Sequence, residues 1–162
     1  MISSPRARRL QSDYQQIFTG FAGHPYIRVE TIGPHPPERY RLIYSVPGLW
    51  LDSSTNTVIR RDQHVVEVYL PADYPREKPY CTTQNPVFHP NFGNYICIAD
   101  YWSSGQSLVD VIVQIGEMLQ YKLFNTDSPL NAMASRWVML NMDRVPLGDL
   151  SLYPQEPEIR LR

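Results

Sequence analysis

The stretch HPNFGNYICIAD, residues 89–100, decides how this chain is read. It holds Cys97, one of two cysteines, six residues after Asn91. An inert, packed thiol is the usual fate of a cysteine, and the apolar run YICIA around Cys97 is compatible with that. A second reading is a thiol hydrolase. It needs a base that rotates freely and is oriented by a third group. His89 precedes Pro90 and follows Pro86, Val87 and Phe88, so a proline-rich turn holds it, as expected of a structural histidine. His24, His35 and His64 have no distinctive setting. The third reading is an acyl carrier, in which Cys97 takes an acyl group as a thioester and passes it to an amine. Exchange between thiol and thioester is nearly balanced. Amine attack is harder, because negative charge builds on the carbonyl oxygen. A neutral amide donor suits that oxyanion, and Asn91 is the candidate.

Upstream of this stretch the pattern is β-rich. YIRVETIG ends at Gly33, and RYRLIYSV alternates with Tyr40, Leu42, Tyr44 and Val46 on one face. DSSTNT reads as a turn, HVVEVYLP alternates again, and YCTTQ is a short strand. The links are too short for crossover helices, which predicts a four-stranded antiparallel meander. Before it, Ser4-Pro5 resembles an N-cap with proline at the first helical position. Leu10, Tyr14, Ile17, Phe18 and Phe21 follow at helical spacing, and Gly20 and Gly23 mark the end. Arg6, Arg8 and Arg9 lie in the first turns, where the helix dipole disfavours cations. They read either as a solvated face or as a basic docking surface for an acidic partner.

Downstream, Leu108, Val111, Ile112, Ile115 and Leu119 form one helical stripe, capped by Ser107 with Asp110 at capping-box spacing. SPLNAMASRW predicts a further helix, with Ser128 as cap, Pro129 opening it, and Leu130, Met133, Ala134 and Trp137 facing inward. From Asp143 the chain carries Pro146, Pro154 and Pro157 and shows no period. Helix, strands, then helices is an α+β order. The division expected is a core at residues 1–142 and a proline-containing tail at 143–162, packed on the core.

Composition bounds the function. The chain has 162 residues and a formal net charge of -1, without the basic excess of a nucleic-acid binder. No apolar run approaches the ~18 residues that span a bilayer, and the N-terminus lacks the apolar core of a secretory signal. Two cysteines do not make a disulfide framework. The expectation is a reduced, cytoplasmic protein that binds neither nucleic acid nor membrane. No metal-ligand spacing appears among the cysteines and histidines, and no glycine-rich phosphate loop. No cofactor is therefore expected. The chain has 13 arginines but only two lysines, Lys78 and Lys122.

Several motifs in order resemble the ubiquitin-conjugating enzyme family. YPREKPYCTTQNPVFHPN (residues 74–91) is similar to that family's Tyr-Pro opening, proline-rich turn and strand ending in His-Pro-Asn. ICIAD resembles its Ile-Cys-Leu element, YWSSGQSLVDVIVQIGEML its Trp-Ser turn and central helix, and NTDSPLNAMASRW the loop and helix beyond. The resemblance covers residues 64 to 137 and extends to the first helix. It implies that Cys97 forms a thioester with the C-terminal glycine of a ubiquitin-like protein. It implies that Asn91 stabilises the oxyanion or holds the active-site loop, and that Ser128, with Asp127 beside it, gates the incoming lysine. His89 and Trp102 then are structural, and Arg6, Arg8 and Arg9 lie on the docking surface for an activating enzyme that uses ATP. The remaining partners implied are the modifier and a target protein with an acceptor lysine.

The departures carry information too. The stretch between Asn91 and Cys97 is shorter than is usual in the family. An acid often found two residues after the cysteine is Ala99 here, with Asp100 one further on. Where the family's ligase-binding surface has an aromatic and a Pro-Ala pair, this chain has Arg76, Ser104 and Gly105. The apolar hot spot of such an interface is absent, so a RING-type ligase is not expected as a partner. Two closing helices are common in the family, whereas VPLGDLSLYPQEPEIRLR is not helical in pattern. These departures and the arginine bias resemble bacterial relatives, encoded in operons with an activating enzyme, a modifier and a deconjugating protease and implicated in antiphage defence. Two alternatives stay open: a non-catalytic module of the same fold that binds a ubiquitin-like protein, and a cysteine hydrolase.

Overall fold

A computed structural model describes residues 4–98 and 102–154. Ala99 and Asp100, where the family's acid was sought, lie outside the described residues.

Helix α1 (Pro5–Phe21) begins as its sequence dictates. The Ser4 side chain accepts from the Ala7 N–H at 3.0 Å, and proline occupies the first turn. Leu10, Ile17 and Phe21 are buried, as the stripe predicts, but so is Asp13, and Phe18 stays 65% exposed. The apolar face is therefore narrower than the spacing suggested, because Phe18 lies at its rim.

Four strands follow: β1 (Ile27–Ile32), β2 (Arg39–Tyr44), then, after an inserted hairpin, β5 (His64–Tyr69) and β6 (Tyr80–Thr83). They pair antiparallel in the order β1-β2-β5-β6. The register places Val29 opposite Leu42, Leu42 opposite Val66, and Val68 opposite Cys81. Tyr40, Leu42, Val66, Val68 and Cys81 share the inner face and are buried, the expected period of two.

The DSSTNT turn does not join β2 to β5. It closes a separate two-stranded hairpin, β3 (Gly48–Asp52) with β4 (Thr57–Arg61). Asp52 Oδ1 accepts from the Ser54 amide at 3.1 Å and its hydroxyl at 2.6 Å, the side-chain chemistry of a tight turn.

Helix α2 (Leu108–Leu119) buries its apolar side chains in the same core as the inner face of the sheet. Ser107 caps it, accepting from the Asp110 N–H at 3.1 Å. Leu108, Val111, Ile112, Ile115 and Leu119 are all buried. Burying each such side chain is worth about 1.5–3 kcal/mol relative to exposure, so this stripe anchors the fold. The Tyr44 hydroxyl donates to Ile112 O at 2.6 Å and ties β2 to α2.

The next helix, α3 (Ala132–Leu140), starts later than its sequence suggests. Asn131, not Ser128, is the cap, accepting from Ala134 N at 3.0 Å. The reason is tertiary. The amides of Leu130 and Asn131 both donate to Pro90 O, at 2.8 and 3.1 Å, which holds residues 128–131 as a loop against the His-Pro-Asn turn. The helix face shifts with it. Ala134 and Val138 are buried and Trp137 half-buried, while Met133 is exposed.

A 3-10 turn, Met142–Arg144, leads into the tail. Leu152 is buried in the main core, and a Cβ on Gly116 of α2 would collide with it. Gln120 receives the tail, its backbone carbonyl accepting from Leu147 N at 2.8 Å and its Oε1 from Leu150 N at 3.0 Å. Residues 155–162 lie outside the described residues. No helix among the described residues is long and apolar enough to cross a membrane, and none of them form a metal-holding cluster.

Candidate functional site

His-Pro-Asn builds the site from the backbone outward. The Asn91 N–H donates to His89 Nδ1 at 3.0 Å, which leaves the ring proton on Nε2, and Nε2 donates to Leu123 O at 3.0 Å. His89 is fully buried, and burial holds its pKa down at about 4. Both nitrogens are committed and the ring is neutral. It cannot rotate to serve a thiol as a base, so the Cys–His hydrolase loses the histidine nearest in sequence to Cys97. Pro90 O, next in the tripeptide, fixes Leu130 and Asn131 as described above.

Asn91 links three segments. Its side chain makes a two-way clamp on the backbone of Asn125. Nδ2 donates to Asn125 O at 2.9 Å, and Oδ1 accepts from Asn125 N at 2.8 Å. Its own carbonyl accepts from the Cys97 N–H at 2.9 Å. The short stretch between them folds as a tight loop, with Gly93 N donating to Tyr95 O at 3.0 Å and Phe92 bridging Ile96. Gly93 faces Leu130, and a Cβ there would meet the Leu130 Cβ at 3.1 Å. The shortened spacing therefore brings Asn91 and Cys97 together through main chain. The Asn91 amide points its recorded bonds at residue 125, on the side that carries Asp127 and Ser128.

The two thiols differ sharply. Cys81, on β6, is fully buried, and burial pushes its pKa up to about 12. Cys97 is half-buried, and both are free. The Ile96 N–H, next to Cys97, donates to Cys81 O at 2.8 Å, which ties the Cys97 segment to β6.

Asp127 and Ser128, both exposed, follow Asn125 in the loop that the Asn91 side chain holds. The Asp127 N–H donates to Asn125 Oδ1 at 2.8 Å, and the Ser135 hydroxyl donates to Thr126 O at 3.4 Å. The loop is thus held at both ends, by Asn91 and by α3. The Tyr121 hydroxyl, which donates to Phe88 O, pins the base of the same region.

Trp102 and the arginines take part in another network. The Trp102 ring stacks on Tyr74 at 5.7 Å, and the Arg9 guanidinium lies over both rings. Arg9 also pairs with buried Asp13 at 3.0 Å and donates to Ser104 O and Gln106 O, each at 2.7 Å. The Tyr74 hydroxyl donates to Asp13 Oδ2 at 2.6 Å. Burial raises the Asp13 carboxyl's pKa, while Tyr74 and Arg9 pull against it. Arg6 binds Glu38 and the carbonyls of Leu70 and Pro71. Arg6 and Arg9 thus form no simple solvated face. They tie α1 to the strand ends and to the turn before α2, and Arg8 is the exposed one of the three. Sequence reading missed this use because the acceptors are mainly backbone carbonyls. Arg76 is 84% exposed beside Asp73 at 3.6 Å.

Comparison with known proteins agrees with this architecture. No curated protein sequence matches the chain. Among solved structures, it is similar to the E2 domain of a Toxoplasma gondii ubiquitin conjugating enzyme. The TM-score is 0.58 and identity 19%, with 84% of this chain and 88% of that one covered. At that identity the likeness concerns the fold. Residues 51–145, from the hairpin through α3, match the family model described as ubiquitin-conjugating enzyme. That span contains the whole His-Pro-Asn to Cys97 unit, and on it the chain belongs to the ubiquitin-conjugating enzyme family.

Proposed function

We propose that this chain accepts the C-terminal carboxyl of a ubiquitin-like protein as a thioester on Cys97 and transfers it to a lysine amine of a target. One observation carries the reading. The single residue Asn91 fixes the backbone of the accessible thiol and, through its side chain, the loop bearing Asp127 and Ser128. A thiol and an acidic, hydroxyl-bearing loop held in mutual register suit aminolysis. The carboxylate of Asp127 and the hydroxyl of Ser128 receive the ammonium, and the amine must lose a proton before attack. Asn91 acts here as a positioning residue.

In this reading an activating enzyme uses ATP and docks on the exposed face of α1 around Arg8, with Arg6 and Arg9 shaping the surface. The chain itself needs no cofactor. Residues 1–142 are the catalytic core and 143–162 a proline-containing tail, of which Leu152 is buried in the core. The setting is the cytoplasm, and the arginine bias favours a bacterial antiphage operon. A RING-type ligase is not used. RING domains titrated onto the chain should show no saturable binding, and tight binding lost in Arg76→Ala would contradict this.

The test is incubation with activating enzyme, ATP and candidate modifiers. A thiol-sensitive adduct is expected that survives Cys81→Ala and vanishes in Cys97→Ala. Saturable binding of a modifier without any adduct would favour the non-catalytic module instead.

A further inference from the structure

Strand β1 is the outer strand of the four-stranded sheet and, among the described residues, pairs only with β2. Its far edge is a template on which a further strand can add. Between β1 and α1 runs a groove of about 380 Å³, lined by Tyr14, Ile17 and Phe18 on one side and by Val29 and Thr31 on the other. Phe18, on its wall, is 65% exposed. The chain's own tail arrives at the head of this groove. His24 Nε2 donates to Leu152 O at 2.9 Å, and its Nδ1 accepts from Ile27 N, the first residue of β1, at 3.1 Å. Pro154 packs on the last turn of α1, where a Cβ on Gly20 would meet its Cγ at 3.0 Å. Beyond it the sequence reads QEPEIRLR, residues 155–162.

We propose that residues 157–162 pair with β1 as a fifth, parallel strand and close the groove with Ile159 and Leu161. Position, reach, pattern and charge all favour this occupant. Pro154 lies at the start of β1, so a tail that follows the strand runs in its direction. The four residues from Pro154 to Glu158 reach about 13 Å, enough to come alongside. Glu158, Arg160 and Arg162 alternate with Ile159 and Leu161, a period of two with one apolar side. On β1 the exposed Arg28 and Glu30 flank the half-buried Val29. Setting Glu158 beside Arg28 and Arg160 beside Glu30 makes two opposite-charge pairs. It turns Ile159 towards Val29 and Leu161 towards Thr31, into the groove. An antiparallel tail with Arg160 beside Arg28 sets Glu158 beside Glu30, two like-charge pairs, which is unfavourable across strands. A parallel shift of two residues in either direction also creates a like-charge pair. The inference stands apart from the chemistry at Cys97.

The experiment uses the full chain carrying Cys97→Ser, so that the half-buried thiol takes no part. Arg28→Cys/Glu158→Cys places two thiols opposite each other in the proposed register, within the roughly 7 Å between Cα atoms that a disulfide tolerates. Arg28→Cys/Arg162→Cys brings them together only if the tail runs antiparallel, and holds them about 13 Å apart along the parallel strand. Under a mild oxidant the first pair should close within one chain about tenfold faster in buffer than in urea, and about tenfold faster than the second pair, because pairing raises the effective thiol concentration. Separately, with no cysteine introduced, Glu158→Arg should speed amide exchange in β1 about two- to fivefold, the range of one cross-strand charge pair. Adding Arg28→Glu should restore the protection. Equal closure of the two pairs, faster closure of the second, or no gain over urea overturns the parallel strand. So does exchange in β1 that Glu158→Arg leaves unchanged. A disulfide-linked dimer means that the tail of a second copy occupies the edge, and it overturns pairing within one chain.

Discussion

Asn91→Ala is expected to slow discharge of the Cys97 thioester to lysine about a hundredfold, with loading changed only a fewfold. Loading needs an accessible thiol, and the backbone bond from Cys97 N to Asn91 O does not involve the lost side chain. Discharge needs the loop of Asp127 and Ser128 in register with the thioester. Its anchor is the pair of bonds between the Asn91 amide and the Asn125 backbone. A displacement of about 1 Å in a positioning element costs on the order of 10² in rate. Asn91→Asp separates the two bonds. A carboxylate still accepts from Asn125 N but cannot donate to Asn125 O, so an intermediate rate is expected. Single-turnover loading and discharge measured separately make the check. Equal loss in both steps would mean that Asn91 supports Cys97 itself rather than the opposing loop.

The second large effect concerns acid. His89 has a folded pKa of about 4, against an unfolded value near 6.5. Above pH 6.5 both states carry a neutral ring and the group is silent. Below it the unfolded chain takes up a proton that the folded chain refuses, so stability falls until the pH reaches about 4. The difference amounts to about 3 kcal/mol, a large fraction of the stability of a small domain. His64, also lowered by burial, acts in the same direction. Asp13 opposes them. Its pKa is raised by burial, so protonation at low pH favours the folded state. Urea denaturation at pH 7 and pH 5 should show a loss of about 2 kcal/mol at the lower pH from His89 alone. The His89 ring resonances should remain those of a neutral imidazole at pH 5.5. A His89 titration midpoint above 6 would contradict the buried, doubly bonded ring and would reopen the hydrolase reading.

What could be read in the sequence was what short-range chemistry determines. Ser4-Pro5 and Ser107 cap helices because a hydroxyl reaches an amide three residues on. The stripe of α2 and the alternation of β2 and β5 follow from burial on one face. The prolines around His89 predict a held ring, and its two nitrogens both bond backbone groups. The resemblance added the family, which local patterning alone does not reach. The inserted hairpin was missed because GLWLD and TVIRR are short and neither alternates cleanly: the first is buried at Gly48 and Leu49 and half-buried beyond, the second exposed at Thr57, Ile59 and Arg60. Asn131 replaced Ser128 as a cap because Pro90 O, 40 residues away, binds the intervening amides. The duties of Arg6 and Arg9 depend on carbonyls up to 97 residues distant. The clamp between Asn91 and Asn125 spans 34 residues, and no sequence spacing announces it.

The most direct measurement is the intact mass of Cys97→Ser after incubation with activating enzyme, ATP and modifier. A hydroxyl in place of the thiol accepts the same acyl group but forms an oxyester that resists thiols. The account predicts a species heavier by one modifier, stable to thiol, sensitive to alkali and mapped to residue 97. A thiol-sensitive adduct persisting in Cys97→Ser would place the acyl group elsewhere and contradict the assignment of Cys97.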